Sequence, residues 1–223
     1  DTIIERGPDD CGFWSDRNKG ISLGFRRLAI QDLTSAGYQP MKSTNGELIL
    51  CFNGEIYNHY EIRSRLESEY SNISWNGHSD TETILRALEF WGLKDTLKAL
   101  SGMFALAIWD TKKERLTLAR DRYGEKPLYY GWVNRSFLFG SQLKAFKEFP
   151  AFSNKLSTHA ITQYFRFNYV PAPLSIYQDI FKLEPGCFIE LDKKNISDKT
   201  LNVQQYWSLS EIITQAKNNL ITD

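Results

Sequence analysis

The stretch FNGEIYN at residues 52–58 sets an amide, a glycine and a carboxylate side by side at Asn53, Gly54 and Glu55. Asn-Gly between apolar residues is the strongest short-range signal for a two-residue hairpin turn. Yet a carboxylate follows, and the chain then enters a helical pattern instead of a second strand. The pair is therefore either a plain turn or a backbone corner shaped to hold something. A second candidate lies at Ser79-Asp80-Thr81-Glu82. This S-x-x-E box opens a helix, and it puts the Asp80 carboxylate where free N–H groups and the helix dipole favour an anion. A third is the adjacent pair Arg26 and Arg27.

Other common chemistries have no foothold. The sequence contains no P-loop, no G-x-G-x-x-G, no G-x-S-x-G elbow and no H-E-x-x-H. His59, His78 and His159 are scattered, none at metal-ligand spacing from a Cys or another His. The basic residues Lys112, Lys113 and Arg115 fall in a predicted hairpin turn and read as a solvated loop. With 27 basic and 27 acidic residues, no overall field draws the chain to nucleic acid or to an anionic membrane. No apolar run is long enough to span a bilayer and no secretory signal opens the chain, so three Asn-x-Ser triplets read as chance matches. Cys11, Cys51 and Cys187 are widely spaced and odd in number, which is not a disulfide framework and points to a reducing cytosol.

The elements that must carry these residues follow from periodicity. At 223 residues, with 14 Phe, 11 Tyr and 6 Trp, the chain suits one large domain with a substantial core. Residues 11–16 and 20–30 read as strands after a tight turn at Gly7-Pro8, and 31–46 as a loop. ELILCFN is a short strand buried on both faces. Ile62, Leu66 and Tyr70 mark one amphipathic helix; Ile84, Ala87, Leu88 and Trp91 mark the next. GMFALAIWD and RLTLARD flank the turn TKKE, with Phe104, Leu106 and Ile108 on one face and Met103, Ala105, Ala107 and Trp109 on the other. Such a strand needs cover on both sides. PLYYGWV and SFLFG add strands, and 141–148 and 157–167 add helices. The stretch from Glu211 to Asp223 is polar and helical in pattern. Strands and helices do not alternate strictly, so antiparallel sheets covered by helices, an α+β layered architecture, fit best.

RGPDD (6–10), GFRRLAIQDL (24–33), QPM (39–41), FNGEIYN (52–58), SDTE (79–82), GMFALAIWD (102–110) and ARDRYGEKPLYY (119–130) occur in one order along the chain. As an ordered set they resemble the N-terminal class II glutamine amidotransferase domain of glutamine-hydrolysing asparagine synthetases. The resemblance covers residues 1–207, without the family's first few dozen residues, and leaves 208–223 as the start of a connection to a synthetase domain. It implies an N-terminal-nucleophile hydrolase, a four-layer αββα sandwich. In that family an N-terminal Cys uses its thiolate and its own α-amine to hydrolyse glutamine, and the ammonia passes to a second domain that amidates aspartate.

The same resemblance assigns roles. Asn53 and Gly54 form an oxyanion hole, the amide and the following backbone N–H aimed at one oxygen while glycine lets the backbone approach. Arg27 grips the α-carboxylate of glutamine with a fork that Lys cannot reproduce. Backbone contacts follow along Leu28, Ala29, Ile30 and Gln31, whereas Arg26 points to solvent. Asp80 pairs with the substrate's α-ammonium, with Glu55 nearby as a second anion. RGPD is a structural turn that shapes the site wall. The nucleophile should lie before Asp1, and none of the cysteines replaces it: Cys11 stands where no thiol is needed, Cys51 lies within a strand and Cys187 in a late loop. No cofactor is implied for this domain; ATP and Mg2+ belong to the synthetase domain. The implied partners are glutamine and that domain, in a cytoplasmic enzyme that binds neither nucleic acid nor membrane and is compatible with a homodimer. Two other readings stay open: a related domain feeding ammonia to another acceptor such as a sugar, or a descendant that lost its nucleophile and kept the fold for docking.

Overall fold

A computed structural model of the chain describes residues 2–218. Of the helical pattern read over 211–223, residues 219–223 lie outside that range. The chain begins with a hairpin of β1 (Asp10–Asp16) and β2 (Ile21–Arg27), paired from Asp10 opposite Arg27 to Asp16 opposite Ile21. Then come β3 (Met41–Lys42), β4 (Leu48–Ile56), α1 (His59–Glu69), α2 (Asp80–Trp91), α3 (Leu93–Ala99), β5 (Gly102–Asp110) and β6 (Arg115–Arg120). The second half holds β7 (Tyr129–Val133), β8 (Ser136–Gly140), α4 (Leu143–Phe146), α5 (Thr158–Phe167), β9 (Ile180–Lys182), β10 (Cys187–Leu191), α6 (Lys193–Asp198), β11 (Val203–Gln205) and α7 (Leu209–Asn218).

A six-stranded antiparallel sheet in the order β11-β10-β6-β5-β4-β3 forms the spine, and a three-stranded sheet β8-β7-β9 faces it. The two-faced apolar pattern of β5 explains why. Phe104, Leu106 and Ile108 pack with Phe52 of β4 against Ile62 and Leu66 of α1 and Ile84 and Leu88 of α2. Ala105, Ala107 and Trp109 turn the other way, into a second core with Leu128, Tyr130 and Leu23 of the hairpin. Beyond the three-stranded sheet, Val133 and Ile180 pack on Phe146 of α4. The layers therefore run helix, sheet, sheet, helix, the four-layer αββα sandwich that the resemblance implied. The outer helical layer is thin, since α5 buries only Ala160.

Some expectations need correcting. The strand read as ELILCFN continues to Ile56, because β5 supplies partners for every residue from Leu48 to Ile56. Cys187 is not in a loop. It opens β10, which pairs with β6 and β11 and buries Phe188 in one core and Cys187, Ile189 and Leu191 in the other. Strands as short as β9 and β11, three residues each, carry too few residues for periodicity to reveal them. The helix capping box at Ser79 is half realised: Ser79 Oγ accepts from the Glu82 N–H at 3.2 Å, but the Glu82 carboxylate accepts instead from the N–H groups of Asn76 (2.7 Å) and Gly77 (3.0 Å). No helix among the described residues is long and apolar enough to cross a membrane.

Candidate active site

Asn53 and Gly54 are not a turn. They lie in extended β4, opposite Ala105 and Phe104 of β5. Local sequence preference for a hairpin yields here to a partner strand that pairs through the whole segment. Glycine is required for this approach, since a Cβ at position 54 would collide with the carbonyl oxygen of Met103 and would stand 2.8 Å from the Cα of Phe104.

The pairing also decides where each N–H of β4 points. Phe104 exchanges its backbone bonds with Asp121, donating to the Asp121 carboxylate and accepting from its N–H at 2.9 Å. In an antiparallel ladder such a residue turns its polar groups away from the other neighbour. Phe52, Gly54 and Ile56 of β4 therefore present their N–H groups along the opposite edge, where β3 has already ended. Two of these donors are claimed by side chains. The Phe52 N–H donates to Gln39 Oε1 at 2.6 Å, and the Ile56 N–H donates to Asp80 Oδ2 at 2.9 Å. Between them, the Gly54 N–H has no acceptor among the described residues and stands on the wall of a cavity of about 880 Å³. The amide of Asn53 lies beside it, its Nδ2 donating to Ser141 Oγ at 3.2 Å.

That cavity collects most of the residues singled out above. Arg27, Leu28, Ile30, Gln31, Asn53, Gly54, Glu55 and Asp80 all line it. Ala29 does not; its N–H is taken by the Asp9 carboxylate at 2.8 Å, so the RGPDD segment fixes the wall as expected of it. Gln31 donates to Glu55 Oε1 at 3.3 Å, tying the segment after β2 to β4. Arg26 is half-buried and lines the cavity, contrary to the expectation that it points to solvent. Arg27 is buried and holds the loop after it, donating to the carbonyls of Asp32 and of Thr34 (3.3 Å). Those bonds use part of a guanidinium that carries five N–H donors, so a carboxylate can still be bound by the rest.

Asp80 is not the helix cap. Ser79 caps α2, which frees the Asp80 carboxylate to reach across to Ile56. Burial pushes its pKa from the ordinary 3.8 up to about 6; nearby Glu55 adds to the rise, while backbone N–H groups of Ile56 and Thr81 pull it down. An anion held under this strain gains from a cation placed beside it. The thiols offer no such readiness. Burial raises Cys51 to about 12 and, with help from Glu184, Cys187 to about 11, so both stay protonated. Cys11 is exposed on β1, within the chain, and has no free α-amine.

Three supporting residues escaped the reading of the sequence. Gln39 joins β4 to α2, its Nε2 donating to Thr81 Oγ1 at 3.3 Å; the QPM string marked its position but not this role. Ser141 holds Asn53. Asp121, fully buried, accepts from the N–H groups of Phe104, Tyr123, Glu125 and Lys126 and so shapes the loop that leads to the far wall.

A family profile described as "Glutamine amidotransferase domain" matches residues 1–207. Among curated proteins, a putative asparagine synthetase (glutamine-hydrolyzing) 2 of Methanocaldococcus jannaschii is 36% identical over 230 residues, covering 94% of this chain and 42% of that protein. Asparagine synthetase (glutamine-hydrolyzing) 1 of Bacillus subtilis is 36% identical over 184 residues, covering 82% of this chain and 28% of its own length. The chain thus spans less than half of the relatives it matches. Among solved structures, the glutamine phosphoribosylpyrophosphate amidotransferase of B. subtilis superposes on 83% of this chain and 35% of its own with a TM-score of 0.57. At 19% identity that likeness shows the shared fold.

Proposed function

Because this chain belongs to the family of glutamine amidotransferase domains, we propose that it hydrolyses glutamine to supply ammonia to a synthetase domain of the same polypeptide, where ATP and Mg2+ drive the amidation of aspartate. The nucleophile of this reaction is an N-terminal cysteine on a segment preceding Asp1, its α-amine serving as the local base. Arg27 binds the α-carboxylate of glutamine. Asp80, with Glu55 close by, binds the α-ammonium, and the carboxylate strained by burial is relieved by that cation. Leu28, Ile30 and Gln31 complete the wall of the pocket. Attack on the side-chain amide puts negative charge on its oxygen, and the Asn53 amide and the Gly54 N–H receive it.

The observation that carries this reading is the unclaimed Gly54 N–H. Its neighbours along the same edge are held by Gln39 and Asp80, so this donor is both fixed in direction and available. Preorganised donors of this kind stabilise charge that develops only in the transition state. The free cysteines Cys11, Cys51 and Cys187 fit a reducing compartment such as the cytoplasm.

The test uses the full-length polypeptide supplied with glutamine, aspartate and ATP-Mg2+. Glutamate and asparagine should form together, and thiol alkylation should stop glutamate release. Asn53→Ala should lower kcat for glutamine by about 10²–10³ with little change in KM. A raised KM with kcat intact would make Asn53 a ground-state contact instead. Glutamate without asparagine would assign the ammonia to another acceptor.

A further inference from the structure

We propose that Ser141 is a positioning residue for the Asn53 amide, an inference that rests on the reading of Asn53 as an oxyanion donor. Ser141 follows the end of β8 at Gly140 and precedes Gln142, the residue at the start of α4. It therefore stands at the rim of the three-stranded sheet, whereas Asn53 belongs to the six-stranded sheet, and both line the same cavity. Their hydrogen bond, Nδ2 to Oγ at 3.2 Å, ties one sheet to the other across the site. Among the described residues it is the sole hydrogen bond that the Asn53 side chain makes.

An asparagine side chain on a strand retains two torsions, and an untethered amide samples several directions. Catalysis by an oxyanion donor requires the N–H to be aimed in advance, because reorienting it during the reaction forfeits the benefit. The amide carries two N–H groups on Nδ2. One donates to Ser141, which fixes the plane of the amide and leaves the other for the substrate oxygen. The anchor is itself secure: α4 is pinned by Phe146 in the core with Val133 and Ile180. Nor does Ser141 have a competing local duty. Its hydroxyl makes no other hydrogen bond among the described residues, and α4 has no side-chain cap.

The experiment is a double-mutant cycle on glutamate release by the full-length polypeptide, with Ser141→Ala, Asn53→Ala, the pair together, and Ser141→Thr. Ser141→Ala should lower kcat about tenfold and leave KM within about twofold, since the lost bond matters where charge develops. In the Asn53→Ala background the same change should have almost no effect, because there is no amide left to aim. Ser141→Thr, which keeps the hydroxyl, should recover most of the rate, and thermal denaturation should show the fold intact in every variant. An unchanged kcat for Ser141→Ala while Asn53→Ala still loses its large factor would overturn the inference and leave the Asn53 role standing. Losses that simply multiply, or a collapse in Tm that accompanies the lost rate, would also overturn it by making Ser141 structural. An unaffected kcat in Asn53→Ala would remove the oxyanion role itself, and the role of Ser141 with it.

Discussion

Replacing Asp80 by Asn should make the fold more stable and glutamine binding worse. Asp80 is 5% exposed, and burial lifts the pKa of its carboxyl from 3.8 to about 6. A raised pKa in an acid means that the native state prefers the protonated form. Between those two values the native chain holds more protons than the unfolded chain, so stability falls as pH rises through that window. Below it no penalty exists; above it the full penalty persists. At about 1.4 kcal/mol per unit, a rise of roughly two units corresponds to about 3 kcal/mol at neutral pH. Asparagine keeps an oxygen to accept the Ile56 N–H and never ionises. Asp80→Asn should therefore gain up to about 3 kcal/mol at pH 7.5, roughly 6–12 °C in Tm for a chain of this size, and nothing at pH 3.5. In the full-length polypeptide the same variant should raise KM for glutamine sharply, because the partner of the α-ammonium is gone. Denaturation of both forms at several pH values, alongside steady-state kinetics, checks the two halves separately. A variant destabilised at neutral pH, or a difference that does not change with pH, would refute the argument by showing that the ionised carboxylate is well solvated or paired in the native state.

Two further outcomes follow from the same site. Arg27→Lys in the full-length polypeptide should weaken glutamine binding far more than the use of free ammonia, because an ammonium cannot reproduce the fork; equal losses with both nitrogen sources would show that Arg27 acts only by holding the Asp32 and Thr34 carbonyls. The 223-residue chain by itself, with Asp1 at its terminus and no cysteine bearing a free α-amine, should release no glutamate from glutamine. Turnover by this chain that is abolished by alkylation would make one of its own cysteines the nucleophile.

The layered α+β fold was legible in the residue pattern, and most of the site's membership in the family resemblance. The alternating faces of GMFALAIWD demand cover on both sides, and the helical spacing of Ile62, Leu66, Ile84 and Leu88 supplies one of the covers. Segments in a fixed order pointed to Arg27, Asn53, Gly54, Glu55 and Asp80, and these do meet at one cavity. The directions of their polar groups were decided only in three dimensions. Asn-Gly prefers a turn when judged by its neighbours in sequence, and it became strand because β5, about 50 residues later, pairs with it. Whether the Gly54 N–H is free depends on which edge of β4 it faces. That in turn depends on Asp121 taking up the backbone of Phe104 from the far side. Ser141 is separated from Asn53 by 88 positions, and a single hydroxyl leaves no periodic trace. Periodicity reports which residues share a face, because burying apolar area is a property of faces; a hydrogen bond depends on one donor meeting one acceptor, and that meeting is arranged by the packing of the two sheets.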